Sequence, residues 1–265
     1  MLVSAIITTY KNPKFTRALH SALKQSYRDL EIILVDGAND SNVHAKANLY
    51  DSVKYIGIEN DKGAQNARNI GCQIAKGKYI AMLDDDDEWY INKIQKQIKA
   101  AKNQNADMIG CYASVCGYGT QKAMLNPSYE DLLKGFGTGL TSTILIKKSV
   151  LEDVGYWRDV MIGPEYDLAL RVAKKGYKII TVPEYLIVYN KEMKSKSYSG
   201  KSQTYARIAE VFAFWKYYGK DFIPYIGIRG FIYNGARTIG LFLILFYGFI
   251  MKKNMTNILD RLKRC

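Results

Sequence analysis

The chain has 265 residues, and 48% of them are hydrophobic, which is enough for one large globular domain or a domain with an appendage and excludes a disordered tail. The net charge of +13 is uneven, because residues 1–190 carry 24 basic and 21 acidic side chains whereas residues 191–265 carry 14 and 4. The C-terminal quarter is therefore predicted to face a membrane surface, a nucleic acid or a polyanionic substrate.

The cysteines and histidines restrict the metal chemistry. Four cysteines without CxxC spacing predict reduced thiols in a cytoplasmic protein. With two histidines and no Cys/His cluster, any metal should be a hard cation held by oxygens rather than zinc. The apolar start "MLVSAIITTYK" lacks a basic segment and a cleavage site, so we interpret it as a strand and not as a signal peptide.

In chain order, apolar runs alternate with amphipathic stretches up to residue 83. The runs are "LVSAIITTY", "LEIILVDG", "VKYIGIE" and "KYIAMLDD", and the stretches between them are "PKFTRALHSALKQ", "SNVHAKANLYD" and "GAQNARNIGCQIAKG". This alternation predicts an α/β fold with a parallel sheet covered by helices. Ligands bind beyond the carboxyl ends of such strands. The candidate positions are therefore Thr8 to Tyr10, Asp36, Glu59 to Gly63, and Asp84 to Asp87.

The second half is predicted to begin with a helix around Trp89 to Asn103 and a strand "ADMIGCYASV". After a loose stretch to Gly139 come "TSTILIKK", a helix near Ser149, "GPEYDLALRVAKKGYKIITVP" and a last apolar run "YLIVYN". From Lys191 the basic, Ser-rich "KEMKSKSYSGKSQ" reads as a linker. We predict one domain over 1–190 and a basic, apolar, helical region over 191–265.

The segment "YIAMLDDDDEWY" raises a question of charge, because it sets four aspartates and a glutamate between a buried strand and an aromatic helix start. Adjacent like charges repel, most strongly where apolar flanks draw them out of water. Mg²⁺ or Mn²⁺ would neutralise them, since these ions take one or two carboxylates and complete their shell with water and substrate phosphates. A solvated acidic turn is the alternative.

Two further motifs are weak when taken alone. Asp36 closes "EIILVDGAND", where a carboxylate at a strand end can bind a ribose or a base edge, but a turn-forming aspartate is equally compatible. In "NDKGAQNARNIG" the Gly63 to Gly71 spacing can frame a phosphate-facing helix start from which Arg68 reaches a nucleotide. An exposed arginine on an ordinary helix is the alternative.

Together these segments resemble the successive signatures of family 2 glycosyltransferases, which have the GT-A fold, a Rossmann-like, mostly parallel sheet with helices on both faces. The matching segments lie in consistent order over residues 1–190: "AIITTYKN", "LEIILVDGAND", "NDKGAQNARNIGCQIAKGKYIAMLDDDDEW" and "GPEYDLALRVAKKGYKIITVPEYLIVY". The resemblance implies a nucleotide-sugar half of about 1–103 and an acceptor half of about 104–190.

The resemblance also implies roles in binding the nucleotide-sugar. Thr8 and Tyr10 match first-strand residues that line the base. Asp36 matches the carboxylate that reads uracil, and Arg68 matches the arginine of the family's ARN segment. One departure lies here, because the usual "VDDGSTD" appears as "VDGAND", with Gly37 in place of the second aspartate.

The aspartate run matches the family's D-x-D motif. Asp86 matches the residue that binds the metal, Mn²⁺ or Mg²⁺, which bridges the diphosphate, and Asp84 matches the residue that faces the ribose. Because four aspartates run together, Asp85 is an alternative for the ribose role.

The catalytic carboxylate of the family lies in an acidic segment before a helix, and "PEYDLALR" supplies Glu165 and Asp167 here. Alignment on "YDLALR" places Glu165 at the position of the usual aspartate base. Such a base takes the proton of an acceptor hydroxyl as the oxygen attacks C1, and one displacement inverts the sugar. The alternative is an acidic pair favoured by the helix dipole, and this is compatible with catalysis, since a base can also lie there. The histidine that often follows the last strand is missing, so any ligand from that loop has to be different.

The region 191–265 is outside the resemblance. Its apolar run Ile239 to Met251 is too short for a membrane-spanning helix, which needs about 20 residues. A helix packed on the domain and an interfacial anchor are the competing interpretations, and the basic surplus favours the anchor. Nucleic acid is not expected as a partner, since no recognised module appears.

We therefore predict an inverting, metal-dependent glycosyltransferase that moves a sugar from a UDP-sugar to a glycan or lipid-linked glycan at the inner face of the cytoplasmic membrane, in surface polysaccharide or lipopolysaccharide synthesis. A sugar nucleotidyltransferase is one alternative, although a glycine-rich "GxGTRL"-like opening is missing after the first strand. A nucleotide- or glycan-binding pseudoenzyme is the other.

Overall fold

The computed structural model describes residues 1–117, 119–135, 139–160, 163–190, 214 and 216–221. Its strands are β1 (Val3–Thr9), β2 (Leu30–Asp36), β3 (Val53–Gly57), β4 (Tyr79–Asp84), β5 (Glu88–Trp89), β6 (Met108–Val115), β7 (Gly119–Gln121), β8 (Leu145–Lys147) and β9 (Ile179–Tyr189). Its helices are α1 (Phe15–Leu23), α2 (Ser41–Ala47), α3 (Ala64–Ile74), α4 (Lys93–Gln104), α5 (Tyr129–Leu133), α6 (Lys148–Asp153) and α7 (Pro164–Lys174), with a 3₁₀ turn at Thr141–Thr143.

The strands form one mixed sheet in the order β3-β2-β1-β4-β8-β6-β9-β5, with β7 paired to β6. The long ladders β1–β2, β1–β4, β2–β3 and β6–β9 are parallel. The short strand β8 runs antiparallel to β4 and β6 and joins the two parallel parts of the sheet. This confirms the predicted α/β class.

Helices cover both faces of the sheet. Successive side chains of β1 point to opposite faces, so they pack against different helices. On one face, Ile7 belongs to the buried cluster that contains Phe15 and Leu19 of α1. On the other face, Ile6 lies against α3, where a β-carbon added at Gly71 would be 2.5 Å from the Ile6 Cγ2. The near-continuous apolar run of β1 is therefore explained by burial on both faces.

The sheet curls so that its last strand returns to the first helix. Strand β5 pairs with β9 at the end of the strand order, yet the Trp89 backbone N–H donates to the Ser21 hydroxyl of α1 at 3.0 Å. Trp89 was predicted to begin a helix, and this is wrong by four residues, because Glu88 and Trp89 pair with Val188 and Ile187 before α4 begins.

The end of the segment "GPEYDLALRVAKKGYKIITVP" and the last apolar run "YLIVYN" contribute to a single strand, β9. Strand β9 extends through Pro183, which cannot donate a ladder hydrogen bond. The register along β6 moves from Cys111 opposite Val182 to Tyr112 opposite Tyr185. A bulge thus excludes Pro183 from the ladder, and the strand continues to Tyr189.

The chain divides into two compact units, Met1–Asp159 with Pro164–Met193, and Val160–Gly163 with Lys194–Cys265. The first unit contains every strand named above. In the second unit residues 214 and 216–221 are helical, and the predicted anchor at 239–251 lies outside the described residues. Of the helices that the structure describes, none combines the length and apolarity needed to cross a membrane. The domain boundary at residue 190 stays a prediction.

Candidate active site

Three parallel strands end at one edge of the sheet and bring several predicted residues together. In the β1 ladders Thr8 lies opposite Val35 on one side and Asp84 on the other, while Thr9 lies opposite Asp36. The carboxyl ends of parallel strands share an edge, and ligands of open α/β sheets bind there. The edge of β1, β2 and β4 is the candidate site.

Thr8 and Tyr10 differ in exposure. Thr8 is buried in β1, whereas Tyr10 lies just beyond the strand and is 58% exposed. Lys11 follows with a left-handed backbone, φ 52°, and its Nζ lies 5.5 Å from the centroid of the Tyr10 ring. The edge thus presents an open aromatic ring that a flat ligand can pack against.

Asp36 is fully buried, and its carboxylate holds the turn that follows β2. Its Oδ1 accepts from the backbone N–H of Ala38 at 2.9 Å, and its Oδ2 accepts from that of Asp40 at 2.7 Å and from the Tyr55 hydroxyl at 3.1 Å. Burial, and then the charge of Asp36, raises the pKa of Tyr55 to about 12. Asp36 therefore makes the contacts expected of a turn-forming aspartate, which was one of the two interpretations of this residue.

Asp61, in the loop after β3, lies close to Gly37. A β-carbon added at Gly37 would be 2.7 Å from the Asp61 Oδ2 and 3.2 Å from the Tyr10 Cδ2. The loop after β3 thus brings a carboxylate beside the position at which the signature's second aspartate is replaced by Gly37. Only the tertiary structure brings these two loops together, although Asp61 lies in a strand-end segment named from the sequence.

The first two aspartates of the run have partners on separate elements. Asp84 pairs with Arg68 of α3, with 2.6 Å between Oδ1 and Nη2. The Asp85 Oδ2 accepts from the Thr9 hydroxyl at 2.6 Å, and the Asp85 carbonyl accepts from the Asn12 Nδ2 at 3.3 Å. Burial raises the pKa of Asp85, the Asp84 charge raises it further, and the hydrogen bonds from Thr9 and Asn12 oppose the shift.

Asp87 is the buried member of the run, at 1% exposure. Its Oδ1 accepts from the backbone N–H of Asn190 at 3.1 Å. Burial, followed by the charges of Asp84 and Asp86, raises the pKa of Asp87 to about 8, although hydrogen bonds from Ser142 and Asn190 oppose this shift. The ionised form of Asp87 is therefore disfavoured at neutral pH, first by burial and then by the neighbouring carboxylates.

Tyr189 and Asn190, at the end of β9, are site residues that the sequence analysis missed. The Asn190 side-chain amide donates to the Asp86 carbonyl at 2.8 Å and approaches the Glu88 Oε1 at 3.4 Å. Burial and then the charges of four carboxylates raise the pKa of Tyr189, and these are Asp87, Asp86, Asp84 and Glu165. Asn190 lies in the "VYNK" segment, where the family often has a histidine. That position in the chain could have pointed to Asn190 as a site residue.

Arg68 is a buried residue and not an exposed arginine, with 6% of its surface accessible. Besides the Asp84 carboxylate, its guanidinium contacts the Gln65 side chain, and its Cζ lies 5.3 Å from the centroid of the Trp157 ring. Asn69, the next residue of α3, holds Trp157 through two 2.9 Å hydrogen bonds, one to its backbone N–H and one to its carbonyl. Arg68 is thus fixed beneath the aspartate run by α3 and the Trp157 segment.

Glu165 lies in the first turn of α7 and is partly buried. Burial raises the pKa of Glu165 and the Asp84 charge adds to this, whereas a backbone hydrogen bond, the Arg68 charge and a hydrogen bond from Thr141 oppose it. The charges of Asp84 and Arg68 thus both reach Glu165. The structure brings this predicted carboxylate to the aspartate run.

Asp167, two residues further along α7, is fully buried and accepts from two arginines. Its Oδ2 accepts from the Arg158 Nε at 3.0 Å and from the Arg171 Nε at 2.8 Å, and its Oδ1 accepts from the Arg158 Nη2. Buried charges of this kind need such pairing. Asp167 thus links α7 to the segment that precedes it.

The donor set fits a hard divalent cation. Within the described ranges, no group of three or more His, Cys, Asp or Glu side chains is placed to hold a metal by itself. Mg²⁺ and Mn²⁺ do not require one, because they bind through one or two carboxylates with water and substrate phosphates. The carboxylate oxygens of the run are the ligands these ions prefer, and burial, followed by the charges of Asp84 and Asp86, raises the pKa of Asp87, a shift that a bound cation would oppose.

A stability measurement tests the burial of Asp87. Its folded-state pKa of about 8 lies above the ordinary value of an aspartate, so between these values the folded state holds a proton that the unfolded state has lost. The free energy of unfolding should then fall as pH rises towards 8. We expect Asp87→Asn to remove about 1.4 kcal/mol per pH unit of this dependence between about pH 5 and 7, measured by urea unfolding in EDTA. Parallel pH curves for the two proteins would contradict the assignment.

These contacts define a class of protein, an α/β protein with a ligand site of clustered carboxylates at the carboxyl edge of its sheet. Two solved structures share this fold. S. aureus TarS 1-349, in complex with UDP-GlcNAc, matches with a TM-score of 0.67 and 16% identity over 81% of this chain and 67% of that chain. The mannosyltransferase PcManGT from Pyrobaculum calidifontis, in complex with GDP-Man and Mn²⁺, matches with a TM-score of 0.61 and 18% identity over 81% and 63%.

The chain belongs to glycosyl transferase family 2, whose family model matches residues 4–154. A curated relative is the Escherichia coli UDP-Glc:alpha-D-GlcNAc-diphosphoundecaprenol beta-1,3-glucosyltransferase WfaP, which is 31% identical over 190 residues, 67% of this chain and 72% of WfaP. The predicted family and GT-A fold are confirmed. Each of the two fold matches covers 81% of this chain, while the roles of individual residues stay predictions.

Proposed function

We propose that this glycosyltransferase moves a hexosyl or N-acetylhexosaminyl group from a UDP-sugar to a hydroxyl of a glycan or lipid-linked glycan, with inversion, in surface polysaccharide or lipopolysaccharide synthesis. The observation that carries the proposal is that Asn190, at the end of β9, donates to the Asp87 carboxylate and to the Asp86 carbonyl. After burial, the charges of Asp87, Asp86, Asp84 and Glu165 raise the pKa of the neighbouring Tyr189. An ionisable base beside a cation-binding run is what a displacement at C1 of a nucleotide-sugar needs. The complexes of TarS with UDP-GlcNAc and of PcManGT with GDP-Man and Mn²⁺ support it by analogy of fold.

The nucleotide-sugar is proposed to lie over the ends of β1, β2 and β4. Tyr10 and Thr8 line the base, and the buried carboxylate of Asp36 acts on the base by holding the turn that follows β2. The ribose is assigned to Asp84 and Asp85. Since Arg68 is buried against Asp84, we propose that it acts on the donor chiefly by holding that carboxylate in place.

Asp86 is the proposed metal ligand, for Mn²⁺ or Mg²⁺. When bound, the cation stabilises the negative charge of the departing diphosphate. Asn190 donates to the Asp86 carbonyl at 2.8 Å and so fixes the backbone of this residue. Asp84 lies in the same run, and its charge adds to burial in raising the pKa of Asp87.

Glu165 is the proposed catalytic base. Burial raises the pKa of Glu165. A carboxylate whose pKa is closer to the working pH accepts a proton more readily from an acceptor hydroxyl. The hydroxyl oxygen then forms a bond to C1 as the bond from C1 to the diphosphate oxygen breaks, and one such displacement inverts the sugar. Asp167, predicted as the second catalytic carboxylate, is assigned to positioning α7, because it is paired with Arg158 and Arg171.

The proposed acceptor and location follow from a relative and from the charge of the C-terminal region. WfaP, by its name, acts on a GlcNAc joined to a lipid by a diphosphate, and we propose an acceptor of the same chemical kind for this chain. The protein then works at the inner face of the cytoplasmic membrane, with residues 104–190 towards the acceptor and the basic region 191–265 towards the membrane surface.

A thermal-shift titration with UDP, GDP, CDP and dTDP, each with and without Mn²⁺, tests the donor site. A ligand that binds only the folded state raises its stability by about 2.7 kcal/mol at a hundredfold excess over its Kd. We expect stabilisation by UDP that requires Mn²⁺. If no nucleotide stabilises the fold with metal present, the assignment of the aspartate run to a donor site is wrong. Hydrolysis of a UDP-sugar by the same protein would separate a transferase from a pseudoenzyme that only binds.

A further inference from the structure

A basic cavity lies beside the site, between α1 and the segment that follows the aspartate run. Its volume is about 340 Å³, and it is lined on one side by Arg17, His20 and Lys24 and on the other by Glu88, Trp89 and Ile91. The roles proposed above use none of these side chains.

The helical wall of the cavity is cationic. Arg17, His20 and Lys24 recur at intervals of three and four residues, so they share one face of α1. The residues Arg17 and Lys24 are exposed, and the one acidic side chain of the lining, Glu88, lies 3.5 Å from the Arg17 Nε. An exposed pair at that distance contributes little, so both cations remain available to an anionic ligand.

One end of the cavity leads to the aspartate run. Glu88 lies 3.4 Å from the Asn190 Nδ2, and the same nitrogen donates to the Asp86 carbonyl at 2.8 Å. Arg17 is therefore separated from the proposed metal ligand by only two intervening residues. Lys24 lies about 10 Å further along the helix axis, away from this end.

The other end of the cavity is apolar and exposed. Ile91 is 61% exposed and its neighbour Tyr90 is 43% exposed. The Ile91 carbonyl accepts from the Ser26 N–H at 2.8 Å, which places it beside the end of α1. The surface thus changes from carboxylates to cations and then to exposed apolar side chains along one direction.

We propose that this cavity binds the diphosphate of an amphipathic acceptor, in which the diphosphate joins the accepting sugar to a hydrocarbon chain. The phosphates lie along Arg17 and Lys24, the hydrocarbon leaves over Tyr90 and Ile91, and the sugar points to the aspartate run. This inference rests on the proposed function and adds a place on the protein for the acceptor's charged group. Charge complementarity and the order of the three surfaces carry it.

Calorimetric titration with geranyl diphosphate and with inorganic pyrophosphate, in EDTA so that no metal bridges the phosphates, tests the inference. We expect the wild-type protein to bind both and geranyl diphosphate more tightly. The double variant Arg17→Gln/Lys24→Gln should weaken both by at least about tenfold, which corresponds to about 1.4 kcal/mol. Ile91→Ser should weaken geranyl diphosphate only, and Arg17→Lys, which keeps the charge, should bind nearly as the wild type.

The matched control removes two exposed lysines of α4 that do not line the cavity, Lys99→Gln/Lys102→Gln, and should leave binding within twofold of the wild type. Absence of binding, or an equal loss in both double variants, would overturn the proposal. Equal affinity for geranyl diphosphate and pyrophosphate would contradict the proposed hydrocarbon contact and leave only an anion site. Binding to anionic phospholipid vesicles without binding of geranyl diphosphate would assign the surface to the membrane instead. Titration of UDP with Mn²⁺ into the same samples tests the proposed donor site separately from the acceptor cavity.

Discussion

Asp86→Ala is expected to abolish the Mn²⁺-dependent stabilisation of this protein by UDP. The variant removes the carboxylate assigned to the metal, while the Asp86 carbonyl that accepts from Asn190 remains. Because a hard cation here relies on very few protein oxygens, losing one should weaken UDP binding in the presence of Mn²⁺ by at least about 100-fold, or about 2.7 kcal/mol. Titration of UDP into the protein with and without Mn²⁺ measures this difference.

A remote aspartate provides the control for this variant. Asp51 is exposed and precedes β3, at the amino end of the parallel strands and so away from the site. Asp51→Ala makes the same chemical change and should leave UDP binding within twofold of the wild type. If Asp86→Ala binds UDP with Mn²⁺ as the wild type does, then the metal assignment is wrong, and Asp84 and Asp87 become the next candidates.

Glu165→Gln is expected to retain nucleotide binding and lose sugar transfer. Glutamine keeps the size of the side chain and its ability to accept from Thr141, but it cannot take a proton from the acceptor hydroxyl. General-base catalysis contributes about 10²- to 10⁴-fold, so the turnover number should fall by that factor while the Kd for UDP changes little. Single-turnover transfer, with nucleotide binding measured separately, checks both parts.

The pH dependence adds a second test of Glu165. The base must be ionised, and because burial raises its pKa, the wild-type rate should decline with falling pH at a higher pH than an ordinary glutamate would produce. The residual activity of Glu165→Gln should lack this limb. Glu152→Gln, a change of the same kind on the exposed surface of α6, should behave as the wild type.

Asp167→Asn separates catalysis from structure. Removing the buried charge that pairs with Arg158 and Arg171 should destabilise the fold by up to about 3 kcal/mol, the lower end of the range for a fully buried pair, because both arginines are themselves partly exposed. Near-normal turnover in Glu165→Gln, with loss of turnover in a folded Asp167→Asn sample, would transfer the catalytic role to Asp167.

The amino-acid sequence by itself determined the parallel half of the sheet and the edge at which the candidate site lies. Runs such as "AIITT" and "EIILV" are apolar without alternation because β1 and β2 are covered on both faces, so they are readable from local composition. Polar residues that end such runs converge at one edge through topology alone. The family resemblance then assigned roles to those residues.

Only the tertiary structure decided which side chains face one another at that edge. Arg68 is buried against Asp84 and Trp157, although an arginine on a helix is usually exposed, and its partners lie far from it in the chain. Tyr189 and Asn190 join the site because β9 returns beside β5. The helix predicted from Trp89 begins only at Lys93 for the same reason. Pairings between distant segments depend on how the sheet curls, and residue spacing does not encode that curl, so the contacts on which the proposed chemistry rests could be read only from the folded chain.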